Sequence, residues 1–120
     1  YYDNCSADYD EFAELIHSQG MPADNIHIYK GWFEETLGDF SGNDIAVLRL
    51  DGDWYESTMT CLDRLFPFVV FGGIVLLDDY DAWDGCARAT HDFLSKNKSR
   101  SRLFRTPLTN IAYIQKIDDA

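Results

Sequence analysis

The sequence lacks the features that mark several classes of protein. No apolar run reaches the roughly 18–20 residues that a transmembrane helix needs, and no charged start is followed by an apolar leader. Cysteine is scarce, and Cys5, Cys61 and Cys86 have neither CxxC spacing nor an even count. This pattern argues against a zinc site or a disulfide framework and favours a reducing compartment. We therefore expect a soluble, cytoplasmic protein that has no membrane partner.

Basic residues are also few, because only 10 Lys and Arg stand against 21 Asp and Glu. An acidic surface repels phosphate backbones, so nucleic acid is not expected as a partner. Five of the bases fall within residues 96–105, which hold no acid. That stretch is rich in Ser and Asn, which is typical of a solvated loop rather than of an anion-binding patch.

The composition and the hydrophobic pattern predict one α/β domain over residues 1–120. The chain has 120 residues, of which 46% are apolar, and this suffices for one hydrophobic core and not for two. Helical spacing of apolar residues predicts a helix that begins near Asp8, another capped by Ser57, and a third around residues 86–94. Strands are predicted at residues 26–30, 45–50 and 74–77, and a closing antiparallel hairpin is predicted at residues 103–105 and 110–116.

Two of these strands are nearly all apolar, as in parallel sheets that are covered on both faces. Acids follow both of them: Asp51 and Asp53 after the first, and Asp78 and Asp79 after the second. If the strands are neighbours, their ends lie about 5 Å apart, at the edge where open α/β sheets gather functional groups. Gly52 lets the backbone turn sharply between the first two acids.

Carboxylates that lie this close repel one another and raise their own pKa values unless a cation is bound among them. A set of oxygen ligands without His or Cys suits a hard ion such as Mg²⁺. The acids could instead be helix caps and turn formers. Two pairs at matching strand ends favour the metal site. Trp32, which follows Gly31, either stacks on a planar ligand or is buried, and burial is the commoner outcome for such a residue.

Three segments, in this order, resemble the macrocin O-methyltransferase family. They are YKGWFEETL at residues 29–37, LRLDGDWYEST at residues 48–58 and GGIVLLDDY at residues 72–80. The resemblance extends from about residue 8 to residue 116. It implies a Rossmann-like class I methyltransferase sheet and an S-adenosylmethionine-dependent transfer of methyl groups to sugar hydroxyls.

The resemblance also implies roles for particular residues. Asp51, Asp78 and Asp79 would bind Mg²⁺, and Asp53 would be the general base. The Gly31-Trp32 pair would contact the adenosyl part of S-adenosylmethionine. The implied partner is a small hydroxylated acceptor of the sugar type.

Only the C-terminal portion of the family is matched. The first two strands and the glycine-rich loop of the family's sheet have no counterpart in the sequence, so we expect a truncated sheet. The strand at residues 45–50 would then have an open apolar edge, which favours aggregation unless it is covered. Three outcomes are open: the chain is a fragment of a longer enzyme, the strand pairs with the one at residues 26–30, or a second copy covers the edge. We expect one of the last two, with the second copy forming a homodimer or higher oligomer.

Two other functions remain open. One is a haloacid-dehalogenase-like phosphohydrolase, with Asp51 as nucleophile, Asp53 as acid and base, and the later acid pair binding the metal. Trp54 argues against it, because that family's DxD is usually followed by Thr or Val. The other is a methyltransferase-like remnant without catalytic activity, which serves as a binding or oligomerisation module.

Overall fold

The structure, a computed structural model, describes residues 6–119 apart from the side chain of Asp39. The chain divides into two compact units, Tyr1–Trp32 and Phe33–Ala120. The described part of the first unit holds helix α1 (Tyr9–His17) and a short 3-10 turn at Ala23–Asn25. Asp8 begins α1 as expected, because its carboxylate accepts a hydrogen bond from the Glu11 N–H at 3.1 Å.

The predicted strand at residues 26–30 is wrong, because the structure has no regular element there. A strand needs a neighbouring strand to satisfy its backbone N–H and C=O groups, and an apolar pattern by itself does not supply one. The expectation that these residues would pair as a strand with the strand at residues 45–50 is therefore wrong as well.

The second unit is built on a four-stranded sheet. Its strands are β1 (Ile45–Leu50), β2 (Val69–Leu77), β3 (Leu103–Arg105) and β4 (Ala112–Gln115), in the order β1-β2-β4-β3. β1 and β2 are parallel, β4 runs antiparallel to both β2 and β3, and β1 is an edge strand. The parallel centre and the closing hairpin are thus confirmed.

The helices of this unit are α2 (Phe33–Thr36), α3 (Tyr55–Leu65) and α4 (Asp84–Lys96), with 3-10 turns at Leu37–Asp39 and Phe66–Phe68. The prediction that Ser57 caps α3 is wrong, because α3 begins at Tyr55 and Ser57 therefore lies within its first turn. Trp54 is its extended N-cap residue, and the Trp54 carbonyl accepts a hydrogen bond from the Thr58 N–H at 3.0 Å. No helix among residues 6–119 has the length and apolar character that crossing a membrane requires.

The core lies between one face of the sheet and the helices α3 and α4. Its most deeply buried large side chains are Leu62, Phe66, Val75, Leu77 and Ile114. The other face of the sheet is less covered than the sequence predicts. Burial alternates along β1 and β2, and Val47 is 59% exposed. The near-continuous apolar runs therefore do not correspond to strands covered equally on both faces.

Candidate functional site

The parallel pairing of β1 and β2 brings the acids at their ends together. Leu50 pairs with Leu77, and the Asp78 N–H donates to the Leu50 carbonyl at 3.0 Å. Carboxylate oxygens of Asp51, Asp78 and Asp79 all lie within 4.8 Å of one another. The structure thus assembles the three side chains that were predicted to bind a metal, and we call them the carboxylate cluster.

The pKa values of the carboxylate cluster reflect this crowding. Partial burial, followed by the charge of Asp78, raises the pKa of Asp51. Burial also raises the pKa of Asp79, although a hydrogen bond from the Asp53 backbone opposes the shift. Both shifts come from withdrawing negative charge from water and placing like charges side by side. A divalent cation would remove this repulsion, and an all-carboxylate donor set fits Mg²⁺.

Asp79 is the most buried acid of the cluster, with 9% of its surface exposed. The Asp53 backbone N–H donates to Asp79 Oδ2 at 3.2 Å. The charge of the Asp53 carboxylate is among the effects that raise the pKa of Asp79. The predicted base therefore lies beside the predicted metal ligands, on the loop that leads from β1 into α3.

That loop turns sharply at Asp53, whose φ is 61°. The Trp54 N–H donates to the Gly52 carbonyl at 2.6 Å and closes a three-residue γ-turn. A positive φ is uncommon for a residue other than glycine, and such conformations concentrate at functional sites. Gly52 is closely packed, because a Cβ there would lie 3.1 Å from Cβ of Ser57 and 3.2 Å from Cε2 of Phe33.

The two helices that follow the acids begin close together. A Cβ on Gly85 would lie only 2.8 Å from the Tyr55 backbone nitrogen, so the first turns of α3 and α4 are in contact. The Trp83 N–H donates to the Asp79 carbonyl at 2.9 Å, and this hydrogen bond holds the start of α4 beside Asp78 and Asp79. Trp54 and Trp83, the residues before the two helices, are 50% and 45% exposed.

Arg49 is a member of the site that the sequence analysis did not select. Its Nη2 lies 2.9 Å from Asp78 Oδ1 and 3.4 Å from Asp51 Oδ2. A signal was present in the sequence, because Arg49 is the only Lys or Arg between Gly31 and Asp63 and it stands in an otherwise apolar strand. A charge in such a position needs a partner, and two acids follow at the ends of neighbouring strands.

The predicted adenosyl contacts, Gly31 and Trp32, belong to the first unit. Gly31 has a φ of 144°, which favours glycine. The Trp32 side chain is 73% exposed, so the expectation of a buried aromatic is not met. Their contact with S-adenosylmethionine stays a prediction.

The remaining thiols and imidazoles of the described residues show no constellation with a nucleophile. Cys61 and Cys86 are buried and free, and burial raises the pKa of the Cys61 thiol to about 12. His17, His27 and His91 are exposed, and His91 Nε2 shares a hydrogen bond of 2.5 Å with the Tyr80 hydroxyl. Cys5 lies outside the described residues. The carboxylate cluster is therefore the candidate centre of the chemistry.

Residues 7–115 match the model of the family Macrocin-O-methyltransferase (TylF). The chain belongs to this macrocin-O-methyltransferase family. The match extends over most of the chain and includes the carboxylate cluster, Asp53, Gly31 and Trp32 within its bounds.

Curated relatives share 33–45% identity with the chain over part of their length. The 8-demethyl-8-(2,3-dimethoxy-alpha-L-rhamnosyl)-tetracenomycin-C 4'-O-methyltransferase of Streptomyces olivaceus is 45% identical over 74 residues, which are 62% of this chain and 28% of that protein. The demethyldecarbamoylnovobiocin O-methyltransferase of Streptomyces niveus is 40% identical over 61% of this chain and 28% of its own length. The mycinamicin III 3''-O-methyltransferase of Micromonospora griseorubida is 33% identical over 65% of this chain and 30% of its own length.

Solved structures confirm the fold. The structure of the O-methyltransferase NovP matches with a TM-score of 0.84 and 30% identity over 93% of this chain and 46% of that chain. The apo structure of CalS11, a TDP-rhamnose 3'-O-methyltransferase, matches with a TM-score of 0.60 and 28% identity over 74% of this chain and 41% of that chain. The macrocin-O-methyltransferase family member described here thus spans less than half of the solved chains that it resembles.

Proposed function

We propose that this chain is the acceptor- and metal-binding part of an S-adenosylmethionine-dependent O-methyltransferase that acts on a sugar hydroxyl. The observation that carries the proposal is the convergence of Asp51, Asp78 and Asp79 within 4.8 Å, with the Asp53 backbone bonded to one of them. Support for the acceptor class comes from the names of the relatives, which include methyltransferases for rhamnosyl compounds. Membership of the family gives no support to a phosphohydrolase.

The proposed roles divide the site between binding and proton transfer. The carboxylate cluster would hold Mg²⁺, which when bound orients a hydroxylated acceptor and lowers the pKa of its hydroxyl group. Asp53 accepts the proton of that hydroxyl, a task that requires a carboxylate within hydrogen-bond reach of the acceptor. Gly31 and Trp32 bind the adenosyl part of S-adenosylmethionine, whose sulfonium methyl group is the one transferred.

Metal binding tests the proposal on the chain as it stands. Titration calorimetry with Mg²⁺ should show a site that Asp78→Asn weakens at least about tenfold, because the variant removes an anionic ligand. The matched control is Asp84→Asn, since the Asp84 side chain is 84% exposed and lies 3.9 Å from its ion-pair partner Arg88. We expect this control to leave the affinity unchanged.

Two outcomes would contradict the proposal. Equal Mg²⁺ affinity in Asp78→Asn and wild type would show that the cluster does not bind the ion. A folded chain that binds Mg²⁺ and releases no heat with S-adenosylmethionine would favour the alternative of a methyltransferase-like remnant without catalytic activity.

A further inference from the structure

One guanidinium nitrogen contacts carboxylates from both strand ends. Nη2 of Arg49 lies 2.9 Å from Asp78 Oδ1, which is hydrogen-bond distance, and 3.4 Å from Asp51 Oδ2. Asp51 follows β1 and Asp78 follows β2, so the contact joins the two loops that supply the carboxylate cluster. It uses one oxygen atom of each carboxylate.

The sheet explains why Arg49 reaches both acids. Leu48 and Leu50 are buried against the helices, so Arg49 between them lies on the opposite, more open face of β1. It pairs with Leu76, one position before the last pair of the parallel ladder. Asp51 follows two residues later, which is the spacing of side chains on the same face of an extended chain. The register therefore places the guanidinium beside both strand ends.

We propose that Arg49 is a positioning residue of the proposed magnesium site. It fixes one oxygen of Asp51 and one of Asp78, and it leaves the second oxygen of each carboxylate, together with Asp79, for the cation. Partners of this kind orient the ligands of metal sites, and their loss typically lowers metal affinity about 10–100-fold. The inference rests on the proposed function, because it requires the cluster to bind Mg²⁺.

Simple electrostatics predicts that removing Arg49 changes the Mg²⁺ affinity in the opposite direction. A positive side chain next to a divalent cation repels it, so removing Arg49 would tighten binding if charge were its only contribution. Positioning predicts weaker binding after the same change. The three side chains are 42–57% exposed, and exposed ion pairs contribute little to folding. Variants at position 49 are therefore expected to fold, and the sign of the affinity change distinguishes the two accounts.

The experiment compares Mg²⁺ affinities of the chain by titration calorimetry. We expect Arg49→Met to weaken binding about 10–100-fold. Arg49→Lys should lie between wild type and Arg49→Met, because lysine keeps the charge and loses the planar fork of donors. The matched control, Arg88→Met, removes an exposed arginine whose partner is 3.9 Å away, and it should bind like wild type. Unchanged far-ultraviolet circular dichroism would show that all variants are folded.

A double-mutant cycle shows whether Arg49 affects the Mg²⁺ affinity through Asp51 or independently of it. If Arg49 acts through Asp51, then Asp51→Asn combined with Arg49→Met should weaken binding by less than the product of the two separate losses. Equal or tighter Mg²⁺ binding by Arg49→Met overturns the role of Arg49 and leaves the metal site standing. A wild-type chain that binds no Mg²⁺ refutes the metal site and the role of Arg49 together.

Discussion

At the scale of single residues, Asp53 combines an unusual backbone with the proposed role of base. Its φ of 61° lies in a region that Asn adopts as readily as Asp, so Asp53→Asn should keep the turn and remove only the carboxylate. We expect methyl transfer to a sugar hydroxyl to fall about 10²–10⁴-fold, the usual contribution of a general base. The measurement is the methylated product, quantified by mass spectrometry with S-adenosylmethionine and Mg²⁺ present.

Mg²⁺ affinity is the control for that variant, and it should stay within about twofold of wild type because Asp53 is not a member of the carboxylate cluster. Full methyl transfer by Asp53→Asn would show that another group accepts the proton. Loss of both methyl transfer and Mg²⁺ binding would assign Asp53 to the metal instead.

The sequence predicted the acids of the site better than their surroundings. Acids after two buried strands follow from the rule that parallel strand ends meet at one edge, and the rule placed Asp51, Asp78 and Asp79 correctly. Arg49 was missed because its contacts depend on strand register and on which face of β1 it occupies. Neither is fixed until β1 has paired with β2.

At the scale of elements, strands whose bounds are set by the local sequence pattern were predicted well. Strands whose bounds depend on pairing with a neighbouring strand were predicted less well. β1 was predicted with its observed bounds, Ile45–Leu50, because a short apolar run between polar segments defines it locally. β2 begins five residues before the predicted start. The predicted strand at residues 74–77 left Gly72 and Gly73 outside, and the structure includes them in β2 at a register irregularity, where Gly72 has a φ of 83°.

The contact between the starts of α3 and α4 should be sensitive to a single methyl group. In Gly85→Ala the new Cβ would lie 2.8 Å from the Tyr55 nitrogen, which is a backbone atom and cannot rotate away. We expect a loss of about 1–3 kcal/mol in the free energy of unfolding, the usual range for overpacking. Urea denaturation measures it. Gly38→Ala is the matched control, because nothing lies within 4 Å of its Cβ position.

A stability loss in Gly38→Ala as large as that in Gly85→Ala would show that the loss does not come from the contact between the helix starts, because the effect of alanine on the unfolded chain by itself stabilises the fold. Unchanged stability in Gly85→Ala would mean that the starts of the two helices separate at no cost in free energy.

The ion pair between Arg105 of β3 and Asp81 in the turn after β2 should make a contribution to stability that depends on pH. Arg105 donates twice to Asp81, at 2.6 and 2.9 Å, and this bonding lowers the pKa of Asp81. A carboxyl whose pKa is lowered by folding stabilises the fold above its ordinary pKa of about 4, and the contribution disappears as the pH falls through the lowered value. Arg105→Met should therefore be less stable than wild type at pH 7, and the difference should shrink below about pH 4.

Urea denaturation at pH 7, 5 and 3 gives the comparison for Arg105→Met. Arg88→Met is the control, because the long contact of Arg88 with the exposed Asp84 predicts no such pH-dependent difference. A stability difference that persists undiminished at pH 3 would assign the effect to packing of the guanidinium on the Tyr80 ring, whose centroid is 5.5 Å away.

At the scale of the whole molecule, β1 is the edge of the sheet that residues 6–119 form, and the chain carries a net charge of −11. An open edge favours pairing with another chain, whereas like charge opposes the approach of a second copy. We propose that the edge is covered by self-association as a homodimer or higher oligomer. Because salt screens repulsion between like-charged copies, association should strengthen as the ionic strength rises.

Self-association through the β1 edge can be tested by placing one charged side chain on that strand. Val47 lies on β1 and is 59% exposed, and lysine on an edge strand opposes pairing with a further strand. We expect sedimentation velocity at 0.5 M salt to show a dimer or larger species for wild type and a monomer for Val47→Lys. Leu108→Lys is the control, because this fully exposed residue between β3 and β4 lies away from β1, and it should sediment like wild type. An assembly unaffected by Val47→Lys would place the interface on another surface, and a wild-type chain that stays monomeric at every salt concentration would refute self-association of the edge.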